Sequence, residues 1–183
     1  PPLLAHLGTS LVERAIIDAF CRGARCTFSE ALRNNQFGIT LESIHSELRG
    51  SNPVEWLPKE PEKSIIARHT IGLGDALTAD DIEKEELCDD GLPQALDDAI
   101  RYYSLTHFKV KLSGNLESDL PRLRGIAKTL RQLVPEFKFT LDGNEQYPNV
   151  MDFREHWERF LEDPILERFL SDSHLLFVEQ PIH

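Results

Sequence analysis

Three short runs, FKVKLSG at 108–114, FTLDGN at 139–144 and LLFVEQP at 175–181, alternate with stretches of helical spacing. That alternation limits the fold more than any other feature of the chain. A helix is expected at about 93–104, opened by Pro93, before a strand at 107–113. A second is expected at 118–133 before a strand at 137–142, and further helices within 150–171 before the strand at 175–181. Strand starts lie roughly 31 and 37 residues apart, the size of one strand-helix unit. Strands joined through helices of that length pair in parallel. Repeated units of this kind build either a doubly wound sheet or a (β/α) barrel.

The polar residues separate the two. Side chains alternate along a strand, so Phe108, Val110 and Leu112 share one face while Lys109, Lys111 and Ser113 share the other. In the next strand Thr140, Asp142 and Asn144 oppose Phe139 and Leu141. In the last, Glu179 shares a face with Leu175 and Phe177. Each strand therefore carries charge at its C-terminal tip, where a barrel gathers inward-pointing side chains into one site. No GxGxxG or Walker-type loop follows any of them, and GLGD at 72–75 is only a glycine pair. A barrel is the expected architecture.

Before the alternation, SLVERAIIDAFCR places Leu11, Ala15, Ile16 and Ala19 at helical spacing, with Ser10 as the expected N-cap and Glu13 completing a capping box. A short helix follows at Thr27–Asn34. Residues 46–64 hold prolines and a glycine without a period and read as a linker. The expected division is thus 1–45, 46–64 and 65–183. A net charge of −11 opposes nucleic-acid binding. No run approaches the ~20 apolar residues of a membrane span, so a cytoplasmic protein is expected. Cys21, Cys26 and Cys88, odd in number and without CxxC spacing, read as free thiols. The acidic stretch 80–98 lacks calcium-loop spacing and reads as solvated surface.

Taken alone, Lys109 and Lys111 suit an exposed strand, Asp142-Gly143 a turn, and Glu179-Gln180-Pro181 a strand exit. Together they suggest chemistry. Asp142 and Glu179 in one cavity repel unless a cation lies between them, and rigid carboxylates suit a hard divalent ion such as Mg2+. Two neighbouring lysines near such an ion ease deprotonation of one, giving an amine base, while the other ammonium can bind a substrate carboxylate. The pattern reads as a metal-assisted proton-abstraction site. His69, Thr70 and Tyr147 near strand ends are candidate substrate contacts, or else local hydrogen bonding and packing.

FKVKLSG, FTLDGNEQY and LFVEQP, in this order, resemble the second, third and fourth barrel strands of the enolase superfamily, in its mandelate racemase and muconate-lactonizing branch. VERAIIDAFCR resembles a helix of that family's α+β capping domain, although Ala31-Leu32-Arg33 departs from the usual continuation. The resemblance implies Lys111 as general base, Lys109 as its electrostatic partner, Asp142 and Glu179 as two of three ligands for Mg2+ (or Mn2+), and Asn144 as a polar residue beside the third-strand ligand. It implies proton abstraction alpha to a carboxylate through a metal-stabilised enolate, as in a racemase, cycloisomerase or dehydratase. The implied substrate is a small carboxylate, and the implied assembly a homo-oligomer.

A full barrel needs about 250 residues, so this chain is expected to be the first half of one, with the third ligand and an opposite-face base on later strands. Alone, it is expected to expose a sheet edge, to be poorly stable and, lacking part of the site, to be inactive. The alternative expectation is a noncatalytic barrel of the same kind that binds a metal or an acid, or serves as a scaffold.

Overall fold

The computed structural model describes residues 2–171 and 173–183. The chain divides into two compact units, Pro1–Ile65 and Ile66–His183. The first holds α1 (Pro2–Ala24), α2 (Phe28–Arg33) and α3 (Pro53–Trp56). Helix α1 begins well before Ser10, so the expected cap and its capping box with Glu13 do not form. Pro2 sits in the first turn, where a missing N–H is tolerated. Ser10 lies inside the helix, and its hydroxyl donates to the Leu7 carbonyl at 2.8 Å. A capping box does open α2, where Glu30 N donates to Thr27 Oγ1 at 3.2 Å and Thr27 N to Glu30 Oε2 at 2.7 Å. The proline-rich stretch is not featureless: Asn52 caps α3 through Val54 N at 3.2 Å, with Pro53 at its start.

The second unit runs β1 (His69–Ile71), α4 (Leu96–Tyr103), β2 (His107–Lys111), α5 (Leu116–Leu133), β3 (Lys138–Asp142), α6 (Val150–Leu161), α7 (Pro164–Phe169) and β4 (Leu175–Glu179). Its sheet is wholly parallel, in the order β1-β2-β3-β4, with no reversal. Helix α4 starts three residues after Pro93, because its first N–H groups are taken by the preceding loop: Leu96 N donates to Ala76 O at 2.9 Å and Asp97 N to Leu77 O at 3.1 Å. A helix end supplied in this way needs no side-chain cap. Among the described residues, no helix is long and apolar enough to cross a membrane. The acidic stretch forms short 3-10 turns, Ala79–Asp81 and Lys84–Glu86, with mostly exposed side chains.

One face of the sheet makes the core. Phe108, Val110, Phe139 and Leu141 are fully buried and pack in one cluster with Leu123, Ile126 and Leu130 of α5, Phe160 of α6, and Leu166 and Phe169 of α7. The helices thus cover the apolar face, and the alternation of each strand turns its polar residues the other way. Strand β4 breaks that alternation once. Leu175 pairs with Phe139 and Phe177 with Thr140, so Leu176 is an extra residue. The bulge moves Leu175 to the core side with Val178, correcting the expected grouping of Leu175 with Phe177 and Glu179.

Asp163, between α6 and α7, ties this layer together. Its Oδ1 accepts from Ile165 N at 2.8 Å and Leu166 N at 3.1 Å, capping α7. Its Oδ2 accepts from Arg124 Nε of α5 at 2.5 Å. Burial disfavours the charge, but the Leu166 amide and Arg124 outweigh it and hold this carboxyl below the usual range. A depressed folded pKa means the stabilisation is full above the ordinary carboxylate pKa, about 3.9, and is lost as pH falls below it. Asp163→Ala should therefore cost about 1–2 kcal/mol at pH 7, and urea unfolding at pH 3 should show a smaller difference between variant and wild type.

Candidate active site

The polar face is built by register. Lys111, Asp142 and Glu179 are the last residues of β2, β3 and β4 and lie opposite one another; one step earlier, Thr70, Lys109, Thr140 and Phe177 do the same. Lys109 Nζ lies 2.7 Å from Asp142 Oδ2 and 3.3 Å from Glu179 Oε2, and Lys111 Nζ lies 3.3 Å from the same Asp142 oxygen. Lys111 Nζ also donates to Asn144 Oδ1. The five residues that the resemblance assigns to the site, Lys109, Lys111, Asp142, Asn144 and Glu179, therefore meet in one network of ion pairs and hydrogen bonds. The lysine side chains are only 23% and 27% exposed, and Asp142 is completely buried.

Asn144 owes its place to the turn after β3. Its φ of 44° is left-handed, a conformation asparagine tolerates better than most residues. This returns its amide to Asp142, with N to Oδ1 at 3.0 Å and Nδ2 to Oδ2 at 3.1 Å. Gly143 is demanded by close approach: a Cβ there would stand 2.5 Å from Pro181 Cα. The exits of β3 and β4 are laced together by Gly143 N to Glu179 O at 3.0 Å and Glu145 N to Gln180 O at 2.7 Å. Asp142 and Glu179 are thus fixed by backbone on both sides.

Electrostatically the network is closed. Burial opposes the charge on Lys109, but hydrogen bonds first to Asp142 and then to Glu179 overcome it, and its pKa is raised. Burial likewise opposes the charge on Asp142, and Lys109, the Asn144 amide and Lys111 overcome it; the carboxyl is lowered. Glu179 is lowered despite burial by Arg68 and Lys109. The Lys109 ammonium thus bridges the two carboxylates.

The sequence reading missed Arg68. Its Nη1 donates to Thr140 Oγ1 at 2.5 Å and to Glu179 Oε1 at 2.8 Å, and its guanidinium lies over the Phe177 ring, 5.5 Å from the centroid. The available signal was alternation, since Arg68 and Thr70 are spaced as Lys109 and Lys111 are. Thr70 is on the polar face. Tyr147 is in the core, 1% exposed, with its ring edge-on to Phe153 and His156 and its hydroxyl pushed up by burial, so its place is packing.

Asp142 and Glu179 offer hard oxygens at registered positions, two of the ligands that Mg2+ or Mn2+ takes. Among the described residues, no group of three or more His, Cys, Asp or Glu side chains is placed to hold a metal. No protein-family model, curated protein or solved structure matches this chain.

Proposed function

We propose that this polar face is half of an active site that removes the proton alpha to a carboxylate, in a (β/α) barrel of the enolase-superfamily type. The observation that carries the reading is the convergence of two lysines and two carboxylates at the C-terminal ends of three adjacent parallel strands. The barrel reading draws support from the unreversed strand order and from helices packed on the apolar face. The helices of residues 1–45 are read as part of a capping domain.

Lys111, the last residue of β2, is the base that takes the α-proton. Lys109, whose charge the carboxylates favour, remains an ammonium and offsets the negative charge that develops on the substrate carboxylate as the proton leaves. Asp142 and Glu179 would hold Mg2+ or Mn2+, which when bound supplies Lewis-acid stabilisation of the same oxygens. The reading calls for a third ligand from a further strand. Asn144 holds both Asp142 and Lys111, fixing the distance between ligand and base.

The test is exchange of α-protons into deuterated water, followed by NMR over a panel of α-substituted carboxylates with Mg2+ present. Exchange on at least one of them is expected. A second reading, a noncatalytic barrel that binds an acid, is favoured by the pairing of both carboxylates with Lys109 and Arg68; binding of a carboxylate without any exchange would select it.

A further inference from the structure

We propose that Arg68 is a positioning residue, a built-in counter-cation that keeps Asp142 and Glu179 assembled when no divalent ion is held and that weakens their grip on one when it arrives. The inference rests on the metal reading above and goes beyond it by assigning a residue no motif contains. Arg68 occupies Glu179 Oε1, which leaves Oε2 turned toward Lys109 and the Asp142 oxygen. It is itself fixed, because the same nitrogen donates to the fully buried Thr140 and the guanidinium lies over Phe177. The pair is not a mobile surface contact; Arg68 is 30% exposed and Glu179 22%.

Charge decides the direction of the effect. On this face three cations, Arg68, Lys109 and Lys111, oppose two carboxylates, Asp142 and Glu179. A dication adds to the side already in excess, and a fixed guanidinium on one ligand repels it. Removing Arg68 leaves two charges of each sign, and Glu179 Oε1 then keeps only the Thr140 hydroxyl, at 3.4 Å. Without a divalent ion, Glu179 then loses one of its two cationic partners beside Asp142, and the assembly loosens. With one, the repulsion is gone.

The experiment compares wild type, Arg68→Gln and Arg68→Lys, each as the full-length protein, by thermal unfolding in chelator and in saturating Mg2+ and by calorimetric titration with Mg2+. Arg68→Gln should melt below wild type in chelator, should gain more from Mg2+, and should bind Mg2+ about tenfold more tightly. Arg68→Lys keeps the charge, so its Mg2+ affinity should stay near that of wild type. A merely structural defect lowers metal affinity and cannot produce this rise. Equal or weaker Mg2+ binding by Arg68→Gln, with binding intact in wild type, overturns the role of Arg68 alone. Absence of Mg2+ binding by all three proteins overturns the metal reading together with it. If Arg68→Gln does not fold, Arg68→Met and the Arg68→Lys titration carry the same comparison of charge lost against charge kept.

Discussion

Replacing Lys111 by alanine is expected to slow exchange of a substrate's α-proton with solvent deuterium by about 10²–10⁴-fold, the range contributed by a positioned general base. Lys111, the last residue of β2, lies 3.3 Å from Asp142 where Lys109 is at 2.7 Å, and it is held in addition by the Asn144 amide oxygen. Lys111→Arg should be as defective, because a guanidinium does not give up its proton. Both variants should unfold in urea close to wild type, since Asp142 retains Lys109 and the Asn144 amide. Exchange at the wild-type rate in Lys111→Ala would remove Lys111 as the base. Because a second base can act on the opposite face of the substrate, each configuration should be measured separately; loss is required for one of them.

The second large effect lies on the opposite face of the sheet, in the neighbouring strand β3. Phe139→Ala should destabilise the second unit by about 3–5 kcal/mol, the usual cost of emptying a large aromatic site in a core. Phe139 is fully buried in β3, an inner strand of the sheet, and its ring stacks on Phe169 of α7 at 4.2 Å and 9°. Phe137 extends the cluster at 6.3 Å from Phe139 and 5.9 Å from Phe169, and stacks in turn on His174 at 4.2 Å. These contacts couple β3 to α7 and to the approach to β4, so the cavity cannot collapse without moving the strand that carries Asp142. Urea unfolding measures the loss, and a change below about 1 kcal/mol would show the cluster to be far more compliant than a close-packed core.

The alternation of strand and helix was legible because β2 and β3 each have a clean apolar face and helices connect the successive strands. Lys109, Lys111, Asp142 and Glu179 could be found because parallel register sets the ends of successive strands side by side. What escaped depends on something other than period. Ser10 looks like a cap until the run before it is recognised as helical. Leu175 changes face through one extra residue, which no periodicity announces. Arg68 sits just outside the shortest strand, where three residues give the alternation little room to declare itself. The demand for glycine at 143 comes from Pro181, a neighbour in space that the turn alone does not reveal.

The bond from Arg68 to Glu179 joins residues 111 apart in sequence and runs from the start of β1 to the end of β4, past two intervening strands. Side chains that leave a sheet roughly at right angles can meet over that span only where the sheet curls toward them. The bond is made only with all four strands in place, so it depends on the whole sheet and not on any one strand pair. The charges on this face therefore act as a latch across the sheet. One ion pair thereby ties the two edges of the four-stranded sheet to each other.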